Sequence, residues 1–292
     1  MRALGVLAVT ALVACGCGSP DSDEPPTAAR PAPATATSDA SAAAGACDRS
    51  APAPPATVPA APLDTILRVP ANVRGTRAPL VLALHFASGS GSEMEAASRA
   101  TPAARRAGFV IAYPSASSGG VWAGAGELGA LTRTLRAIER VACIDPRRVY
   151  VAGVSNGGGM AHLFACRNAD RIAGIVLFAP AVSGIGDCRP SRPVSMLEFH
   201  GTADDLVAYG PIPQFVADWA RLDGCSSSDP RRTSAGRGVQ RQRWRGCRGG
   251  ASVEHLRLNG GGHIELLPQL RAAGVDPARE ALRFLARHRL PA

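Results

Sequence analysis

The stretch Tyr150-Val-Ala-Gly-Val-Ser-Asn-Gly-Gly-Gly-Met160 runs mostly apolar residues straight into a serine, then follows it with an asparagine and three glycines. A solvated turn usually sets its glycines among polar residues, and a buried strand does not end on a lone hydroxyl. A sharp strand-to-helix corner that holds Ser155 up as a nucleophile accounts for both halves of the pattern. Within it, Gly153-Val154-Ser155-Asn156-Gly157 reads G-x-S-x-G, where the serine takes a strained backbone and the glycines let strand and helix pass closely. The N–H of Asn156 opens the predicted helix and can face a developing oxyanion. The pentapeptide alone is a weak signal; its weight comes from lying between a buried strand and a helix.

The surrounding chain supplies that frame. From Leu63 onward, β-rich runs at 65–69, 80–86, 109–113, 148–154, 172–178, 196–200 and 253–258 alternate with helical patterns. Most of the runs are nearly continuously apolar, as expected for strands covered on both faces of a parallel sheet. The helical patterns cover 127–141, 160–168, 213–222 and 277–289, the first with Leu128, Leu131, Leu135 and Ile138 at helical spacing. Alternation over this length predicts one α/β domain at 63–292, doubly wound, with a mostly parallel sheet and helices on both faces. Chemistry in such sheets sits at the carboxyl ends of the strands.

A serine hydroxyl needs a base to take its proton. Of the six histidines, His162 and His288 fall on helices, His255 lies within a strand, and His85 and His200 end strands where they shape loops. His263 follows the last strand through Asn259-Gly-Gly-Gly262, a loop able to lay an imidazole across the sheet edge, so it is the expected general base. The base in turn needs an acid to hold its tautomer. Asp204 and Asp205 both follow the strand ending at His200, and chemistry alone does not separate them. The order Ser155, Asp204 (or Asp205), His263 is Ser…Asp…His. A second oxyanion donor should come from the loop after 80–86, with Ala87 N–H the first choice and Phe86 N–H the second.

The first residues address the compartment. Arg2 and the apolar run 3–14 are too short to span a bilayer and read as a signal peptide over 1–14. Leu12-Val13-Ala14-Cys15 resembles the lipobox of bacterial lipoproteins, which implies a lipid on Cys15; the alternative is an ordinary secretory signal cut nearby. Residues 15–62 are Ala, Pro, Ser, Thr and Asp with few large apolar side chains, and read as a disordered tether. Beyond Cys15 and Cys17, six cysteines remain, an even number suited to an oxidising compartment. Spacing favours Cys225–Cys247 and Cys166–Cys188 as local closures, leaving Cys47–Cys143, among fifteen possible connectivities. The net charge is +9, and all 32 cationic residues are arginine. The densest run, 237–248, reads as an exposed hairpin between cysteines and not as a nucleic-acid surface.

The motifs Ala83-Leu-His85, Ala112-Tyr-Pro114, Asp145-Pro-Arg-Arg-Val-Tyr150, Gly153-Val-Ser-Asn-Gly-Gly158, His200-Gly-Thr-Ala-Asp204, Asp223-Gly-Cys225 and Gly260-Gly-Gly-His263 stand along the chain. Together they resemble the secreted polyhydroxybutyrate depolymerase and feruloyl esterase group of α/β-hydrolases. The resemblance implies the α/β-hydrolase fold, selects Asp204 over Asp205 as the triad acid, and favours Ala87 beside Asn156 in the oxyanion hole. Phe86 stands where that group usually has glycine, and Ile264-Glu-Leu-Leu267 where a tryptophan usually follows the histidine. The expectation is a monomeric, lipid-anchored extracytoplasmic serine esterase needing no metal or organic cofactor. It would act on small or oligomeric esters, of hydroxybutyrate type or feruloyl and acetyl esters of polysaccharide. A serine peptidase of the same fold and a non-catalytic envelope protein are the rival readings.

Overall fold

Leu80, Leu82 and Leu84 alternate with Val81 and Ala83 along one strand, and both sets are buried. Such a strand must sit in the middle of a sheet with apolar layers on either side. The computed structural model, which describes residues 47–50, 53–117, 119–182, 184, 186–226 and 229–291, has this arrangement. The proposed signal peptide, Cys15 and most of the proposed tether lie outside the described residues.

Nine strands form one sheet: β1 (Thr65–Arg68), β2 (Ala78–Leu84), β3 (Val110–Pro114), β4 (Ile144–Val154), β5 (Gly174–Phe178), β6 (Ser195–Gly201), β7 (Arg231–Gly236), β8 (Val239–Trp244) and β9 (Val253–Leu258). Their order is β1-β3-β2-β4-β5-β6-β9-β8-β7. The run from β3 to β9 is parallel, and β1, β8 and β7 add antiparallel edges. One face carries the helices α3 (Gly124–Val141), α4 (Asn156–Arg167) and α5 (Ile212–Leu222) on Leu82, Val151, Leu177 and Met196. The other carries α1 (Gly91–Ser98), α2 (Ala100–Ala107), α6 (Leu266–Ala272) and α7 (Pro277–Leu285) on Val81, Ala152, Val176 and Leu256. The α/β architecture with a mostly parallel, doubly covered sheet is as expected.

The elements not anticipated share a physical cause. β7 reads Arg-Arg-Thr-Ser-Ala-Gly and presents no buried residue, so hydrophobic periodicity had nothing to report. Its partner β8 is the middle of the arginine run and buries only Val239 and Trp244. The arginines there are largely neutralised. Glu254, itself buried, takes Arg241 at 2.7 Å, Arg243 at 3.0 Å and Arg287 at 2.8 Å. α1 is short, yet its start carries a capping box: Ser90 Oγ accepts from Glu93 N–H and bonds the Glu93 carboxylate. The helix expected over 277–289 ends at Leu285.

Among the described residues the disulfides are Cys166–Cys188 and Cys225–Cys247, the two local closures that spacing favoured, and Cys47–Cys143, the pair left over. Upstream of Leu63, Thr57 bridges Ile66 and Val58 packs in the core, so part of the stretch assigned by composition to the tether contacts the sheet domain.

Asp223, fully buried after α5, accepts from Val194 N–H at 3.0 Å. Burial pushes its carboxyl up to about 7 despite that bond and the nearby Arg192 and Arg248. A raised folded-state value means the group favours folding when protonated, and this contribution is lost as pH rises from about 4 toward 7. Asp223→Asn should therefore gain thermal stability relative to wild type as pH goes from 5 to 8, by several degrees in paired melting curves. An unchanged difference between the two pH values would remove the buried charge from the account.

Candidate active site

Every expected catalytic group lies just past the carboxyl end of a strand. Ser155 follows β4, Asp204 follows β6 and His263 follows β9. Ser155 has φ +52° and ψ −117°, a conformation that side chains rarely adopt and that turns β4 abruptly into α4. Three backbone bonds hold it there: Ser155 N–H donates to Phe178 O, and Ser155 O accepts from Gly159 and Ala181. The flanking glycines are required by contact distance. A Cβ on Gly153 would lie 2.2 Å from Gly157 O, and one on Gly157 would lie 2.2 Å from His85 O. The first turn of α4 therefore presses on the end of β2, against the carbonyls of Leu84 and His85.

The hydroxyl of Ser155 lies 2.9 Å from His263 Nε2, and His263 Nδ1 lies 2.7 Å from Asp204 Oδ2. With Nδ1–H donating to the carboxylate, Nε2 is left as the acceptor for the hydroxyl proton. Asp204 Oδ1 accepts from the N–H groups of Leu206 at 3.0 Å and Val207 at 2.7 Å. These bonds fix the carboxylate plane. Asp205, the other candidate from sequence, is exposed. The loop bearing His263 is tied to the Asp204 loop by Ala203 N–H to Gly261 O at 2.9 Å and Gly260 N–H to Thr202 Oγ1 at 2.8 Å. The closeness of the two loops depends on Gly201, where a Cβ would lie 2.1 Å from Gly261 O.

Asn156 begins α4, so its N–H has no intrahelical acceptor. Its side chain does something not read from sequence. Oδ1 accepts from Trp122 N–H at 2.8 Å and Nδ2 donates to Trp122 O at 3.1 Å. Trp122 in turn donates its indole N–H to His85 O at 2.9 Å and packs on the His85 ring. His85 Nδ1 donates to Phe86 O at 2.7 Å, and its Nε2 accepts from Ala116 N–H at 3.0 Å. Burial also pushes this imidazole down, which keeps it neutral. His85 is thus the loop-shaping residue expected, and its bonds orient the segment that carries Ala87.

Two features escaped sequence reading. One is a buried chain behind Asp204, formed by His200, Glu198, His255 and Tyr209. Glu198 and His200 lie on β6, His255 on β9 and Tyr209 in the segment before α5, and the β6–β9 register pairs Glu198 with His255. The other is the rim. Leu206 is 64% exposed and Ile264 is 77% exposed, the large apolar side chains most open to solvent among the described residues. Ile264 directly follows His263, and Leu206 lies two residues past Asp204.

A family model described as alpha/beta hydrolase fold matches residues 94–208. The chain is 31% identical over 230 residues to feruloyl esterase B of Piromyces equi, spanning 68% of this chain and 42% of that protein. It is 27% identical over 210 residues to a bifunctional acetylxylan esterase/xylanase of Neocallimastix patriciarum, spanning 68% of this chain and 31% of that protein. The chain thus spans less than half the length of either relative. Among solved structures, the acetyl xylan esterase from Aspergillus awamori superposes with a TM-score of 0.60 at 16% identity, over 75% of this chain and 95% of that one. That likeness bears on the fold alone. Taken with the strand order and the serine turn, these matches give the chain the α/β-hydrolase fold, with similarity over part of its length to feruloyl and acetylxylan esterases.

Proposed function

We propose that this protein is a serine esterase that hydrolyses carboxylic esters through an acyl-enzyme, with Ser155 as nucleophile, His263 as base and Asp204 as acid. The observation that carries the reading is the continuous bond chain from Ser155 through His263 to Asp204, at 2.9 and 2.7 Å, starting from a serine held at positive φ.

The chemistry follows the proton. His263 Nε2 takes the Ser155 hydroxyl proton as Oγ attacks the ester carbonyl, and the new imidazolium is stabilised by Asp204. The carbonyl oxygen becomes an oxyanion, to be held by the N–H groups of Asn156 and Ala87. Collapse of the tetrahedral intermediate breaks the bond to the alcohol, which leaves with the proton returned by His263. Water then attacks the acyl group by the same route and frees Ser155. These steps use only groups of this chain.

The relatives' names, feruloyl esterase and acetylxylan esterase, favour esters of plant polysaccharide as substrates. The exposed Leu206 and Ile264 suit an acyl group with an apolar or aromatic body. Hydroxybutyrate oligomers remain the second substrate class, on the motif resemblance. Export from the cytoplasm is supported by the three disulfides. The lipid anchor at Cys15 rests on the lipobox-like Leu12-Val-Ala-Cys15.

A panel of feruloyl esters, acetylated xylan and hydroxybutyrate oligomers should show hydrolysis by wild type and a loss of at least about a thousandfold in Ser155→Ala. Asp204→Asn should lose about ten-thousandfold in kcat, while Asp205→Asn stays within about twofold. Equal losses in the two aspartate variants would contradict the assignment of the acid. Expressed with its natural amino terminus, the protein should partition into membranes and shift to the soluble extracytoplasmic fraction in Cys15→Ser. Unchanged partitioning would remove the anchor from the reading.

A further inference from the structure

Asp204 Oδ2 faces two imidazoles. One is His263. The other is His200, whose Nε2 lies 3.2 Å away on the side opposite the serine in the chain of bonds. His200 is wholly buried, and its two ring nitrogens meet only groups that accept protons. Nε2 lies 3.0 Å from the carbonyl of Val207 as well as beside Asp204, and Nδ1 lies 2.9 Å from Glu198 Oε1. A neutral imidazole would leave one nitrogen lone pair pointed at an oxygen lone pair, so this environment selects the ring with both nitrogens protonated. Glu198, fully buried, bonds His200 through one oxygen and His255 Nδ1 through the other; His255 Nε2 ends on the Tyr209 hydroxyl at 3.1 Å.

We propose that His200 is a positioning residue of the triad acid, an imidazolium clamped between Glu198 and Asp204 that moderates the pull of Asp204 on His263. The kinetic part of this inference rests on the triad proposed above; the protonation part does not. The groups facing His200 are Glu198 on its own strand, Asp204 and Tyr209 from the segment leading to α5, and, across β9, His255 with Arg257 near Tyr209. Burial alone would push the His200 imidazole down, but the bond and charge of Glu198, the Val207 carbonyl and Asp204 outweigh it and raise it. Burial likewise pushes Glu198 up, and the charge of His255 with the bonds from His200 and His255 bring it below the usual range.

The sign of the functional effect follows. A positive charge beside Asp204 partly offsets the carboxylate field at His263. Removing the charge strengthens the hold of Asp204 on the imidazolium that forms in the reaction, so the acid limb of activity should move upward.

Protein labelled with ¹⁵N-histidine, observed by long-range ¹H–¹⁵N correlation at about pH 8, tests the protonation directly. The His200 signals, identified by their disappearance in His200→Asn or their shift in Glu198→Gln, should report protons on both ring nitrogens. A bare ring nitrogen in wild type overturns the proposal. In parallel, the pH profile of kcat/KM on p-nitrophenyl acetate should show the acid limb of His200→Asn displaced upward by about one pH unit. A lower rate with an unmoved limb would make His200 a packing residue only and also overturn the proposal. Should wild type hydrolyse no ester at all, the triad reading fails, while the ¹⁵N result still decides the charge on His200.

Discussion

The site depends on one close approach of backbone to backbone. The amino-terminal turn of α4 lies against the last residues of β2, with Gly157 facing the carbonyls of Leu84 and His85. This contact is possible only because Ser155 turns through positive φ. It sets the serine hydroxyl at the carboxyl end of β4, within 2.9 Å of His263 Nε2. The strain at one residue is held by the hydrogen bonds to Phe178, Gly159 and Ala181 and by a sheet buried on both faces.

The second loop contact has the same character. Gly201 passes so close to Gly261 that the ends of β6 and β9 lie nearly in touch, and the loops carrying Asp204 and His263 are bonded to each other before they reach the serine. Two glycine-mediated contacts, one on either side of β4 and β5, therefore converge three side chains separated by 49 and 59 residues of sequence. Behind them the acid is backed by charge: Asp204 abuts His200, and His200 abuts Glu198. From the acid inward carboxylates alternate with imidazoles, so each buried carboxylate has an imidazole partner.

What could be read in the sequence divides along physical lines. The central strands carry almost unbroken apolar runs, and the G-x-S-x-G stretch encodes its turn in five adjacent residues, so the sheet and Ser155 were legible. His263 was legible because glycines precede it. Cysteine spacing pointed to the pairs seen in the structure. The edge strand β7 was not legible because an exposed antiparallel edge needs no hydrophobic pattern. Asp204 could be distinguished from Asp205 only by family resemblance, since the choice is made by loop direction. The chain from His200 to Glu198 and His255 depends on cross-strand register, and Trp122 reaches Asn156 across 34 residues; neither leaves a local mark. The capping box at Ser90 and Glu93 was present in the sequence and would have located α1.

The central claim is that Ser155 is a nucleophile activated in place by His263. Treating the folded protein with a fluorophosphonate and locating the adduct by peptide mass spectrometry tests it most directly. The account predicts a single stoichiometric adduct on Ser155, formed much more slowly when His263 is replaced by alanine. An adduct on a different residue, or no adduct on protein shown to be folded, would contradict it.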